Sequence, residues 1–352
     1  MGLLKNLKPN EVKVRLKDYK IMVIGEPKTG KTSLFYNLVK EYYKGDFSKG
    51  LLLGLERGYS SLDGIMALDI DDYDTLVEAI EELENDRSLP FEFVCIDTAD
   101  LLVKFAIEKT LKDSKKVTGE KCKSLNDAFK GYGRGREYAL NLIDNVLTRL
   151  ERLNIGMFLI AHSKLKKKNL GASVENEEYM ELCTSMEEKF EALFIDKMDM
   201  IVTLVKNREI DTTLDVKKRR AKTSVDLVFR GDGILSGGRF TNLPDKVPYN
   251  SVQDFLTVFE NAVKGNMTIK KTDEEIQKIA EKQEIEAKQA EVEALTKVTD
   301  EDMFNYFKEH FNELGAECKT KIQQIMLSNG VDDISKLPSN HDALVAIYDL
   351  IK

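Results

Sequence analysis

The octapeptide Gly25-Glu-Pro-Lys-Thr-Gly30-Lys31-Thr32 matches G-x-x-x-x-G-K-[ST] without a mismatch. An apolar run at residues 21–24 precedes it, and helical spacing follows from residue 31 to about 43. This strand–loop–helix unit constrains the fold more than any other feature. Two glycines let the backbone wrap a phosphate with its N–H groups aimed inward. The helix that follows adds the positive end of its dipole. Such a unit buries its strand only within a layered α/β sheet. The candidate phosphate cradle is Gly25, Glu26, Pro27, Lys28, Thr29, Gly30, Lys31, Thr32 and Ser33. Lys31 is expected on the surface rim, supplying a point charge to β- and γ-phosphates, and Thr32 offers a hydroxyl to Mg²⁺.

Further apolar runs at 50–55, 91–96, 155–161 and 200–205 alternate with helical spacing at 74–84 and 137–153. This alternation predicts a doubly wound, mostly parallel sheet. Residues 212–216 and 224–229 are expected to form the arms of a hairpin. The organisation expected is a leader at 1–17, an ATPase domain at 18–264, a charged connecting helix at 265–298 and an all-α module at 299–352. In that module Phe304, Phe307 and Phe311, then Ile322, Ile325 and Met326, then Leu344, Ile347 and Leu350 mark three helices.

In a parallel sheet the strand C-termini share one rim, and ligands bind there. Three polar residues end apolar runs at that rim. Asp97 ends the run at 91–96 and is the candidate second Mg²⁺ ligand. The next residue is Thr98 and not a glutamate, so a water-activating base must come from elsewhere. Glu56, ending the run at 50–55, is the candidate base. His162 ends the run at 155–161 and is placed to sense a γ-phosphate.

Taken in order, these four places resemble the RecA-like ATPases. The string Ile160-Ala-His-Ser-Lys164, with Gly131-Tyr-Gly-Arg-Gly-Arg136, resembles more specifically phage AAA-domain nucleotide-binding proteins, including the Sak-type single-strand annealing and recombination ATPases. The resemblance covers about residues 18–262 and leaves the C-terminal module outside. It implies a RecA-like P-loop core, ATP and Mg²⁺ as cofactors, Lys31, Glu56 and His162 as catalytic residues, and a homo-oligomeric filament or ring. It also implies DNA-contacting loops at about 111–136 and 163–190. There the candidate contacts are Lys115, Lys116, Lys130, Tyr132, Arg134, Arg136, Lys164, Lys166, Lys167 and Lys168. Lys218 and Arg220 are candidate cations acting on a neighbour's γ-phosphate.

Composition bounds the partners. The net charge of −8 excludes global attraction to nucleic acid, so any contact must be local. Four scattered cysteines and no long apolar run point to a reducing cytoplasm and no membrane. The expected function is a single-stranded-DNA-dependent ATPase of recombination or annealing. A hexameric helicase-type motor is the alternative enzyme. An ATP-switched adaptor, recruiting replication or recombination proteins through the C-terminal module, is the non-catalytic alternative.

Overall fold

The computed structural model describes residues 9–86, 88–169, 178–210, 221–267, 271–296, 300–311, 314, 316–331 and 333–351. Six parallel strands form its centre: β1 (Lys20–Gly25), β2 (Gly50–Gly54), β3 (Met66–Asp69), β4 (Phe93–Asp97), β5 (Gly156–Asn169) and β7 (Met200–Ile210). Their order across the sheet is β7-β1-β5-β4-β2-β3. β8 (Ala221–Val228) pairs antiparallel with β7, and β10 (Lys246–Pro248) with β8; short β9 (Gly237–Gly238) also pairs with β7. The antiparallel hairpin is therefore built from β7 and β8. The expected arm at 212–216 lies within residues 211–220, outside the described residues.

Period-two alternation sorts the strand side chains into two cores. Met22 and Ile24 of β1, Leu51 and Leu53 of β2, and Val94 and Ile96 of β4 face one side. That side is covered by α2 (Tyr73–Asn85), α3 (Ala99–Thr118), α4 (Arg134–Arg152) and α5 (Glu188–Lys197). Ile21, Val23, Leu52, Phe93 and Cys95 face the other, under α1 (Lys31–Tyr42) and α6 (Val252–Gly265). Both faces are covered, as a parallel sheet requires. This is the doubly wound, mostly parallel α/β architecture that the alternation of strands and helices predicts.

Local chemistry sets the helix starts. The Asp72 carboxylate accepts from Thr75 N–H at 2.9 Å and caps α2. Asp254 accepts from Ser251 N–H at 2.9 Å and closes the first turn of α6. The expected leader is not detached at its end. Leu16 is wholly buried, and its N–H donates to Tyr42 Oη at 3.0 Å.

Compactness divides the chain into residues 1–276 and 277–352. The expected connecting segment, 265–298, straddles that division, with α7 (Asp273–Thr296) crossing it. The second unit contains α8 (Asp300–His310), α9 (Ala316–Ser328) and α10 (His341–Ile351), packed around Phe307, Ile322, Leu337 and Ile347.

Candidate functional site

The sheet register brings the expected site residues together. Gly25 at the end of β1 is level with His162 on β5 and with Leu204 on β7. Asp97 at the end of β4 is level with Ile160 on β5 and Gly54 on β2. Glu56 follows β2 by two residues, and its N–H donates to the Asp97 carbonyl at 2.9 Å. The P-loop, Glu56, Asp97 and His162 thus share one rim.

Gly25 is required by close approach, because a Cβ there would lie 2.8 Å from Thr29 Oγ1 and 3.1 Å from the Leu204 carbonyl. Gly30 sits at φ 92°, in the left-handed region, and turns the loop into α1. Helix geometry leaves the amides of Lys31, Thr32 and Ser33 without intrahelical acceptors. They are the donors an anion at this helix start would meet.

Lys31 corrects one expectation: it is only 6 % exposed, not a surface-rim charge. Its ammonium donates to the carbonyls of Gly25 and Glu26, both at 2.9 Å, and lies 3.5 Å from His162 Nδ1. Burial pushes its pKa below the ordinary lysine value, while the carboxylates of Asp97, Asp100 and Glu56 pull it back. A desolvated cation held only by neutral acceptors, two carbonyls and a histidine nitrogen, is poised for stronger anionic acceptors.

His162 lies between two charged groups. Its Nδ1 faces Lys31, and its Nε2 is 3.4 Å from Glu56 Oε2. The neutral tautomer with hydrogen on Nε2 satisfies both contacts, donating to Glu56 and accepting from Lys31. The His162 N–H donates to Asp100 Oδ2 at 2.8 Å, and Ser185 Oγ donates to the other oxygen of that carboxylate. Sequence reasoning missed Asp100, whose position in the first turn of α3, three residues after Asp97, was the available signal.

The Thr32 hydroxyl donates to Asp97 Oδ2 at 2.6 Å. Asp97 is 4 % exposed, and burial raises its carboxyl pKa against the lowering effect of Thr32. One carboxylate and one hydroxyl beside a phosphate cradle suit Mg²⁺, which keeps waters and takes further oxygens from phosphates. Among the described residues no cluster of three or more His, Cys, Asp or Glu could hold a metal instead.

The raised pKa predicts a measurable stability effect. In the nucleotide-free fold the Asp97 carboxylate is ionised at a cost. Its contribution to stability is present below the unfolded-state pKa and is lost as pH rises through the raised folded value. Asp97→Asn should therefore raise the Tm of the nucleotide-free protein at pH 7 by about 2–4 °C, for a gain of about 1 kcal/mol. The advantage should shrink as pH falls into the carboxylate range. Thermal melts of both proteins from pH 4 to 8 test this, and a variant less stable at pH 7 would contradict it.

The candidate nucleic-acid residues are less uniform than expected. Lys115 and Lys116 lie on α3, and Arg134 and Arg136 in the first turn of α4, so the loop is only 119–133. Lys164, Lys166, Lys167 and Lys168 are not on a loop: β5 continues past the rim to Asn169 and pairs with β6 (Glu178–Thr184). Several of these cations are already paired. Lys166 and Lys168 reach buried Glu191 at 3.3 and 3.4 Å, and Lys167 pairs with Glu178. Arg136 meets Glu187 at 2.9 Å, and Lys116 meets Asp113 at 3.5 Å. Lys115, Lys130 and Lys164 are exposed, with no ion pair among the described residues; Arg134 reaches only the Phe129 carbonyl, at 3.5 Å. Tyr132 is 96 % exposed. Lys218 and Arg220 lie outside the described residues.

Fold and rim together define a P-loop NTPase core. Residues 17–230 match the AAA domain family, and the chain belongs to that family. No curated protein matches the chain. Among solved structures, the chain is similar to the crystal structure of KaiC-like protein PH0186 from the hyperthermophilic archaeon Pyrococcus horikoshii OT3. It shares 10% identity over 66% of this chain and 84% of that one, with a TM-score of 0.35. No helix among the described residues is long and apolar enough to cross a membrane.

Proposed function

We propose that the chain is an ATP hydrolase of recombination or single-strand annealing, stimulated by single-stranded DNA and working as a homo-oligomeric filament or ring. The observation that carries the reading is the chain of contacts Lys31–His162–Glu56 at the P-loop rim, on the strand that continues into the β5–β6 hairpin. Lys31 leaves its carbonyls for the β- and γ-phosphates. Glu56 orients the attacking water and takes up its proton. His162 holds Glu56 until a γ-phosphate competes for the ring. Thr32 and Asp97 would hold Mg²⁺, which neutralises charge on the phosphates. Asp100 ties His162 to Ser185, just after β6, so events on the hairpin reach the sensor. Lys218 and Arg220 of a neighbouring copy are the proposed trans-acting cations.

DNA contact is assigned first to the cations without ion pairs. Each phosphate neutralised on a single strand adds roughly 0.7 to the salt slope. Replacing Lys115, Lys130 and Arg134 by Ala should flatten the slope by about two units. Replacing Lys166, Lys167 and Lys168 should flatten it less, because their carboxylates already compete. Fluorescence anisotropy on single-stranded oligonucleotides across a salt series measures both. Loss of more slope in the hairpin variant would move the interface to β5–β6, and no binding by the wild type would end the DNA reading.

A further inference from the structure

The base of the β5–β6 hairpin is held from two helices. Thr184, the last residue of β6, donates to buried Glu191 of α5 through its N–H at 2.9 Å and its hydroxyl at 2.6 Å. Ser185, the next residue, donates its hydroxyl to Asp100 of α3. A carboxylate in the first turn of a helix ordinarily faces the amides of its own helix. Asp100 does not. Among the described residues neither of its oxygens accepts from an amide of α3, and Thr98 caps that helix instead. Both oxygens reach across to the hairpin base.

The ladder shows what the carboxylate replaces there. Ser163 of β5 pairs with Thr184 of β6, so one step further His162 faces Ser185. His162 is also level with Gly25 of β1, so β5 passes from the parallel sheet into the hairpin at this residue. A hydrogen-bonded antiparallel pair exchanges two N–H···O bonds. Here one forms, from Ser185 N–H to the His162 carbonyl at 2.8 Å. The return bond, from His162 N–H to the Ser185 carbonyl, is displaced: that N–H donates to Asp100 Oδ2, also at 2.8 Å. A charged acceptor outcompetes the neutral carbonyl.

We propose that Asp100 is a positioning residue for His162, an inference that rests on the γ-phosphate-sensing role proposed for that histidine. The carboxylate keeps the His162 backbone out of the ladder and the ring between Lys31 and Glu56. The ring contacts, at 3.5 and 3.4 Å, stand at the outer limit of a hydrogen bond, so a small displacement breaks them. Without Asp100 the His162 N–H has the Ser185 carbonyl as its nearest substitute. The hairpin then closes by one more pair and draws the ring toward β6. Because Glu191 fixes Thr184, the hairpin end stays put and His162 is the partner that moves.

The ring itself gives the test. The full chain, labelled with ¹⁵N-histidine, has three histidines, and His162→Gln identifies the signal of His162. In the wild type that signal should show one neutral tautomer, with hydrogen on Nε2, and should shift when Mg²⁺ and a non-hydrolysable ATP analogue bind. Asp100→Ala should abolish the single-tautomer signature and most of the shift, while binding the analogue no more than about threefold more weakly. Its single-turnover hydrolysis should fall by about 10–10²-fold. Asp100→Asn should restore the ring signal, because the amide oxygen still accepts from His162 N–H and the amide nitrogen can donate to Ser185. A wild-type ring signal and response in Asp100→Ala, even with a lower Tm, would reduce Asp100 to a structural contact and overturn the proposal. So would loss of analogue binding together with the response. A wild-type ring that ignores bound analogue would overturn the sensor role itself, and the positioning role with it.

Discussion

Lys31→Ala should lower Mg-ATP affinity by roughly a hundredfold or more while the protein stays folded. In the nucleotide-free protein the ammonium is buried, its pKa is depressed by desolvation, and its acceptors are neutral carbonyls of the loop and a histidine nitrogen. Bound triphosphate replaces those acceptors with charged oxygens. Charge-assisted hydrogen bonds contribute about 1.5–3 kcal/mol each, and two lost contacts set the scale of the effect. The fold should survive, because α1 is anchored by Leu34, Phe35, Leu38 and Val39, all fully buried. Removing a desolvated cation also relieves a cost. Calorimetric titration with ATP measures the loss, and wild-type affinity in the variant would refute the P-loop assignment.

Glu56→Gln should keep ATP binding within a few-fold and reduce the hydrolytic step by about 10²–10⁴. The side chain is half exposed, so the amide costs the fold little. Its oxygen still accepts from His162 Nε2, so the ring keeps its place. What is lost is the carboxylate that polarises water. Glu92, the other carboxylate near β4, precedes the strand, pairs with Lys49 at 2.9 Å and stands on the opposite rim. It cannot substitute. Single-turnover hydrolysis separates binding from chemistry, and turnover preserved within a few-fold would place the base elsewhere.

The central strands and the rim were legible because each strand is apolar and ends in a polar residue. Gly25, Glu56, Asp97 and His162 follow from that pattern and from the shared rim of parallel strands. Four elements were not. β3 is only four residues long and wholly exposed, and its three apolar residues, Met66 to Leu68, are too short a run to stand out as a strand. The C-terminal half of α3 carries Lys112, Lys115 and Lys116 and buries Thr110 and Ser114, so it resembles a solvated loop. The outer half of β5 carries the lysines and β6 the glutamates, and their pairing across the two strands appears only in three dimensions. The burial of Lys31 was equally hidden. A lysine after a glycine-rich loop reads as exposed until the fold wraps carbonyls around it.

One measurement addresses the whole account: steady-state ATP hydrolysis by the wild-type chain in Mg²⁺, with and without single-stranded DNA. The proposed function predicts turnover that requires Mg²⁺ and rises several-fold on single strands but not on duplex. ATP that binds tightly yet stays intact in both conditions would contradict it, leaving the Lys31–His162–Glu56 contacts as a nucleotide switch without hydrolysis.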